Sequence, residues 1–314
     1  MKSVQVEIIG FGQIGQMLFR KWADGRLIRV TRVADPVFAG RKAVEVAGAA
    51  DVPDIIIDSA PIPGAEIAVV TTSSELEEVL PVLEKCIDLG MSALTTCEEF
   101  FFDRSDPVRF LAEKAEKAEL AVAGCGINPG FLMDFLPAVL SGCSMNIRSV
   151  TVERYQDASG RRNRFRKKIG AGLTMDAFQK EVQSGKLRHV GIVQSMNFLA
   201  AMLGWDLKEL SEEISPVSDD GVHVRGVRQT GTGKKEDGCE VIRLDFLAAV
   251  GEKNPRDRIV IDGEPRIESV IPGGIHGDTG TCAVVTNLVR RLAASPLTGV
   301  VTLRDLVLFP GNGC

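Results

Sequence analysis

The chain is poor in the residues that build metal centres, disulfide frameworks and nucleic-acid surfaces. It has 3 histidines in 314 residues. Its 7 cysteines (Cys86, Cys97, Cys125, Cys143, Cys239, Cys282 and Cys314) include no Cys-x-x-Cys pair. Zinc-ligand spacing is therefore missing, and no metal is expected. The odd count, mostly in apolar or small-residue surroundings, reads as reduced thiols of a cytosolic protein. Basic residues are not in excess: 37 Lys and Arg against 42 Asp and Glu leave a net charge of −5. Phosphate neutralisation needs a basic surface, so a nucleic-acid partner is not expected. No apolar run is long enough to span a bilayer, and Met1 to Gly10 lacks the apolar stretch of a secretory leader. A cytoplasmic location without membrane contact is expected. Aromatics make up 5%, with Tyr155 the single tyrosine, which excludes a recognition cage built from tyrosines.

What is present is an ordinary globular composition, 45% hydrophobic and 25% charged, in a length that suits two medium domains. Apolar runs at Val4–Ile9, Ile28–Ala34, Ile67–Val70, Ser92–Thr96 and Leu120–Ala123 alternate with helical spacing at Ile14–Ala23, Glu75–Asp88 and Asp106–Lys117. Ile55–Ile57 is a further short strand candidate. This β-α-β-α order predicts a parallel sheet with helices on both faces. Beyond the loop Gly124–Gly130 the pattern changes. A helix is expected from about Phe131 to Leu140, then alternating strands at Ile147–Tyr155, Val222–Thr230, Cys239–Val250 and Arg258–Asp262, with helices at Met175–Gln183 and Val193–Leu203. The expected class is α/β. Residues 1–130 form an N-terminal Rossmann domain with a doubly wound parallel sheet. Residues 131–277 form an α+β substrate and dimerisation domain with a mixed, largely antiparallel sheet. The final helix Asp278–Ala293, within the tail 278–314, is expected to pack back near the first domain.

Gly10-Phe11-Gly12-Gln13-Ile14-Gly15 is a G-x-G-x-x-G that follows a strand and opens a helix, the context a dinucleotide fingerprint requires. Gly10 permits the tight turn, Gly12 lets pyrophosphate approach the backbone, and Gly15 lets helix and strand close up. The helix start at Gln13 and Ile14 offers amide groups and the positive dipole end to the phosphates. Asp35 ends the second strand and can accept the ribose hydroxyls, which favours NAD over NADP. Arg41, a few residues on, keeps NADP possible. Thr71, Thr72 and Ser73 follow the next parallel strand and either line the cofactor's second half or cap a helix. Asn128 stands after a further strand, where it can position the nicotinamide or a substrate amine, while Pro129 and Gly130 fit a domain-crossing turn.

Glu98 and Glu99 follow the strand at Ser92 within Thr95-Thr96-Cys97-Glu98-Glu99-Phe100. A carboxylate in an apolar setting exchanges a proton near neutrality. An amine must lose its ammonium proton before its α-hydride can leave, so an acid here suits amine oxidation. The alternative is a helix-start acid pair that complements the dipole.

Several segments taken together resemble the 2,4-diaminopentanoate dehydrogenase and native amine dehydrogenase family, within the wider dihydrodipicolinate reductase-like group. They are Thr96-Cys97-Glu98-Glu99, Gly126-Ile127-Asn128-Pro129-Gly130-Phe131-Leu132-Met133-Asp134, Asp157-Ala158-Ser159-Gly160-Arg161-Arg162, Lys168-Ile169-Gly170-Ala171-Gly172, His189-Val190-Gly191, Leu203-Gly204-Trp205 and His276-Gly277-Asp278-Thr279. The resemblance implies a homodimer, a nicotinamide cofactor (NAD, with NADP possible), and reversible oxidative deamination of a small-molecule amine to ketone and ammonia. It also implies a catalytic glutamate in the Cys-Glu-Glu segment, carried to Glu98 first and Glu99 second. Substrate candidates are Arg161, Lys168, Gly170, His189 and His276. The basic run from Arg161 to Lys168 reads as a carboxylate clamp, a cofactor contact or a solvated or dimer-interface loop. Gly170 and Gly172 are expected to leave amides open to an anion, although the Ser-Gly-Thr core of the reductases is missing. The amine is expected to enter between two lobes. A reductase acting on a cyclic imine, or a nicotinamide-binding sensor without turnover, remain the alternatives.

Overall fold

The computed structural model describes residues 3–49, 54–160 and 163–306. The chain divides into two compact units, one made of 1–131 with 277–314 and the other of 132–276. The protein is α/β, as its strand and helix order predicts.

The first unit is built on a six-stranded sheet in the order β12-β5-β4-β3-β1-β2. Its strands are β1 (Val4–Ile9), β2 (Ile28–Ala34), β3 (Ile67–Val70), β4 (Ser92–Thr95), β5 (Ala121–Gly124) and β12 (Gly299–Val301). Every pairing in it is parallel. β3 and β5 are buried at every residue, which follows from helices covering both faces of a parallel sheet. Helices α1 (Gln13–Lys21), α3 (Leu76–Asp88) and α4 (Asp106–Lys117) supply that cover, α2 (Ala43–Ala47) adds a short turn, and α9 (Gly277–Ala293) packs on α1. Trp22 Nε1 of the α1 C-terminus donates to Thr286 Oγ1 of α9 at 3.1 Å. Leaving β1, the chain winds to β2 on one side and later to β3 on the other, so the order reverses between β1 and β3. In open α/β sheets that reversal opens a crevice at the carboxyl ends of the strands.

The candidate strand at Ile55–Ile57 is reduced to two isolated bridges, Lys42 with Ile56 antiparallel and Ala34 with Asp58 parallel. Pro61 and Pro63 follow within a few residues, and proline withholds the donor a ladder needs.

The second unit has a sheet in the order β11-β10-β6-β9-β8-β7. It comprises β6 (Met145–Asp157), β7 (Glu209–Val217), β8 (Gly226–Lys234), β9 (Glu240–Ala249), β10 (Arg256–Glu264) and β11 (Ile267–Pro272). Only β6 and β9 pair in parallel; the other four pairings are antiparallel. Helices α5 (Phe135–Ser141), α6 (Asn163–Lys168), α7 (Met175–Gln183) and α8 (Ile192–Leu203) accompany it. Helix α5 starts at Phe135, later than the expected Phe131, because the buried Asp134 caps it: one carboxylate oxygen accepts the Phe135 N–H at 2.6 Å and the other accepts the Ser195 hydroxyl at 2.7 Å. β8 begins at Gly226, later than the expected Val222, because Asp220 Oδ1 holds the Val222 and His223 amides in a turn. Among the described residues, no helix is long and apolar enough to cross a membrane.

Candidate active site

The glycine loop is built as the fingerprint requires. Gly10 has φ +88°, and an added Cβ would stand 2.9 Å from the backbone of Thr71 and Thr72. Gly15 is buried against β1: its Cβ would lie 2.3 Å from the Gly10 carbonyl oxygen. Gly12, at the N-terminus of α1, is exposed and faces open space, with nothing within 4 Å of the place a Cβ would take. Gln13 is exposed, its side-chain amide 3.4 Å from Asp278 Oδ2, and Ile14 is partly buried. An open cradle at a helix N-terminus fits a pyrophosphate.

These differences separate the glycines experimentally. Gly15→Ala is expected to unfold the loop and cost at least several kcal/mol, since a Cβ at that distance forces backbone movement. Gly12→Ala is expected to fold with a thermal midpoint near that of the parent and to lose cofactor affinity. Thermal unfolding and cofactor titration of the two variants check this; a Gly12→Ala variant that binds NAD+ as tightly as the parent would remove Gly12 from the cradle.

Asp35 braces the same loop. One carboxylate oxygen accepts the Phe11 N–H at 2.6 Å and the other accepts the Val37 N–H at 2.8 Å. A carboxylate has about four acceptor positions, so capacity remains for ribose hydroxyls. Thr71, on the opposite side of the switch point, donates its hydroxyl to the Gly10 carbonyl at 2.7 Å. It therefore holds the loop closed. Thr72 is exposed, and Ser73 Oγ accepts the Glu75 N–H at 3.2 Å as a turn before α3. Arg41 is exposed and lies over the Phe38 ring at 5.8 Å.

The acid pair splits into two roles. Glu99 Oε2 accepts the N–H of Leu76, the first residue of α3, at 2.9 Å, which satisfies a donor that the helix itself leaves open. Glu98 sits one residue earlier in the turn that follows β4, and its Oε2 is sealed from solvent. The turn is anchored on both sides. Thr96 N–H donates to Val70 O at 3.0 Å and Cys125 N–H donates to Thr95 O at 2.8 Å. The Cys97 thiol donates to Ser74 O at 3.1 Å. Burial pushes the Cys97 thiol up to about 12, and likewise Cys125, so neither is a nucleophile near neutrality. Phe100 and Phe101 close over Gly124, whose Cβ would meet them at 3.1 Å. Asn128, next along the same edge, is 8% exposed with its Oδ1 sealed from solvent, and its bond to Pro129 is cis. The carboxyl ends of β1, β3, β4 and β5 thus bring together the glycine loop, Thr71, Glu98 and Asn128.

The family that this arrangement belongs to is decided by comparison. The 2,4-diaminopentanoate dehydrogenase C-terminal domain family matches residues 131–311, more than half of the chain. The chain belongs to that family. Over 98% of its length and 88% of the relative's, it is 25% identical to the 2,4-diaminopentanoate dehydrogenase of Acetoanaerobium sticklandii. Its fold is similar to that of an amine dehydrogenase from Mycobacterium smegmatis, with a TM-score of 0.81 over 96% of both chains at 17% identity. An oxidoreductase from Agrobacterium radiobacter, solved in complex with NAD+, L-tartaric acid and magnesium, shares the fold at a TM-score of 0.57 and 11% identity, covering 93% of this chain and 89% of that one. As a member of a dehydrogenase family with a dinucleotide-binding sheet, the protein is a nicotinamide-dependent oxidoreductase.

The second unit of this dehydrogenase family member corrects one expectation about its loops. Gly170 and Gly172 do not present open amides: Gly170 N–H donates to Lys167 O at 3.0 Å and Gly172 N–H to Val224 O at 2.8 Å. Gly170 has φ +72° and lies against Phe178 and Leu187, where its Cβ would stand 2.8 and 2.7 Å away. It is a helix-ending turn under packing. Arg161 and Arg162 lie outside the described residues. Arg166 turns back, and its guanidinium donates to Ala158 O at 3.2 Å and also to Ser159 O. Lys168 is exposed. His276 is exposed, and His189 is partly buried with its ring stacked on Phe246 at 4.3 Å. Burial, then the positive charges of Lys168 and Arg154, hold His189 down to about 3. Its imidazole is therefore neutral near pH 7, a hydrogen-bonding group without charge.

Sequence reasoning missed Arg154, Gln229 and Asp257, all buried at 2% exposure or less. Their signal was present but weak: polar residues at inward positions of otherwise apolar strands.

Proposed function

We propose that the chain is an NAD-dependent amine dehydrogenase that oxidatively deaminates a primary amine of the 2,4-diaminopentanoate kind to ketone and ammonia, and runs in reverse as reductive amination. The observation that carries the reading is the Glu98 carboxylate, sealed from solvent by one oxygen, at a strand end that adjoins the glycine loop's own strand neighbours. Gly10, Gly12, Gln13, Ile14 and Gly15 cradle the pyrophosphate, Asp35 accepts the ribose hydroxyls, and Asn128 orients the carboxamide or the substrate nitrogen. The negative charge of Asp35 disfavours a 2′-phosphate, hence NAD over NADP. When bound, the nicotinamide supplies the hydride acceptor.

Glu98 takes a proton from the substrate ammonium, which frees the nitrogen lone pair that makes α-hydride loss possible. Glu98 passes that proton to solvent, the net proton that the oxidation releases, and the regenerated carboxylate then accepts a proton from water as water adds to the resulting iminium carbon and returns it to the nitrogen that leaves as ammonia. Glu99 keeps α3 and the turn in place. His189, His276 and Lys168, all carried by the second unit, are read as substrate-recognition residues. A cytoplasmic homodimer is part of this reading.

The test is NADH absorbance on addition of a panel from diamino acids to simple alkyl amines, with ketone, ammonium and NADH as the reverse assay. Amine-dependent NADH formation with ketone as product is expected, with NADP+ a poorer acceptor. Tight cofactor binding with silence across the panel in both directions would replace the enzyme with a cofactor-binding protein that does not turn over.

A further inference from the structure

One polar row crosses the buried face of the second sheet. Asp257 of β10 stands opposite Arg154 of β6. Arg154 stands opposite Phe246 of β9, and Phe246 opposite Gln229 of β8. All four are buried at 4% exposure or less. Two residues along, the same face carries Ile259, Val152, Leu244 and Gly231, an apolar row of the ordinary kind.

A buried ion pair is seldom a net gain over apolar packing, so the Arg154–Asp257 pair at 2.7 Å points to a positional role. Both partners also hold one loop residue. Asp257 Oδ2 accepts the Ile275 N–H at 2.7 Å, and Arg154 Nη2 donates to the Ile275 carbonyl at 3.0 Å. Two left-handed glycines, Gly273 at φ +77° and Gly274 at φ +67°, bend the chain into that grip. Gln229 treats His189 in the same way. Its Oε1 accepts the His189 N–H at 2.7 Å and its Nε2 donates to the His189 carbonyl at 3.1 Å, while Phe246 carries the imidazole ring. Glu212 of β7 fixes Gln229 in turn, accepting from Nε2 at 2.8 Å. Each loop is thus held at amide and carbonyl together by side chains rooted in one row. One held residue is His189, and the other immediately precedes His276.

We propose that the row Asp257–Arg154–Phe246–Gln229 is a positioning platform for substrate recognition, which sets His189 and the His276 loop at one level of the sheet. This rests on the reading above that those two histidines meet the substrate. Arg154, Asp257 and Gln229 are positioning residues: they act through the loops they grip.

Two variants test it in the full-length protein: Gln229→Met, and the pair Arg154→Met with Asp257→Leu, which removes both charges together and so leaves no orphaned ion. Amide hydrogen exchange at His189 and Ile275 is measured beside steady-state kinetics and NAD+ affinity. Exchange is expected to accelerate at His189 in the first variant and at Ile275 in the second. The amine KM is expected to rise on the order of tenfold or more in each, as misplacement of a binding group does, with NAD+ affinity unchanged. Removing His276 as well, by His276→Ala, is expected to add little in the double-variant background. Arg154→Lys, which keeps a donor, is expected to recover part of the KM. Unchanged exchange in folded variants overturns the platform, and so does accelerated exchange with an unmoved KM. Should the parent enzyme turn over no amine, the functional reading fails, and the exchange arm alone still decides whether the row holds the two loops.

Discussion

Glu98→Gln is expected to lower amine-dependent NADH formation by about 10²–10⁴-fold, the usual contribution of a positioned general base. The amide keeps the shape of the carboxylate but cannot take the ammonium proton, so NAD+ affinity should stay at the parent value. Glu99→Gln is the matched control. It weakens the bond to the first amide of α3, a loss of about 0.5–2 kcal/mol by analogy with other helix caps, and should leave turnover near that of the parent. The comparison is made on kcat and on thermal midpoints together. Full turnover in Glu98→Gln, or the larger kinetic loss falling on Glu99→Gln, would overturn the assignment of the base.

A second large effect is expected on stability, at Glu7→Gln. Glu7 lies in the middle of β1 with no exposed surface. One of its oxygens accepts the Ile62 N–H at 3.4 Å, and the other has no hydrogen-bond partner among the described residues. Burial first of all raises its pKa from 4.5 to about 7; the Ile62 amide and Arg32 pull the other way, and Asp58 pushes with the burial. Between those two values the folded state binds the proton that the unfolded state has released. Stability therefore falls as pH rises from about 4.5 to 7, by up to about 3 kcal/mol at 1.36 kcal/mol per unit. Glutamine carries no charge to desolvate. The variant is expected to match the parent at pH 4.5 and to exceed it at pH 8. Denaturant unfolding of both proteins across that range reads the difference; parallel pH profiles would show that Glu7 does not titrate on folding. His189 works in the opposite sense, since its lowered pKa withdraws stability as pH falls below about 6.5, so only the difference between variant and parent isolates Glu7.

The parallel sheet was legible because its strands are short, mostly apolar and separated by helices, and the glycine loop because Gly10 and Gly15 have no room for a side chain. The strands that escaped notice are edges. β7, Glu-Leu-Ser-Glu-Glu-Ile-Ser-Pro-Val, is mostly exposed and has no apolar face to repeat at period two; β11 does alternate, but Ser269 stands on its shielded face and Val270 on its exposed one, which blurs the pattern. The acid pair was found but not divided, because which of two consecutive side chains turns inward depends on the turn that β3 and β5 impose on residues 96–101, a long-range constraint. Arg154, Gln229 and Asp257 stayed hidden for a related reason. A charged residue at an inward strand position reads as a break in the pattern until its partners, about a hundred residues away for Arg154 and Asp257, are seen across the strands.

Asp35 has a consequence for attempts to change the cofactor. Its carboxylate reads the ribose in the reading above, and it also ties down the amide of Phe11 inside the glycine loop. Redesign toward a phosphorylated ribose by simple deletion of the acid would slacken the very turn that, in the same reading, receives the pyrophosphate. A successful exchange has to bring its own acceptor for that amide, so selectivity and grip are mechanically one property in this fold.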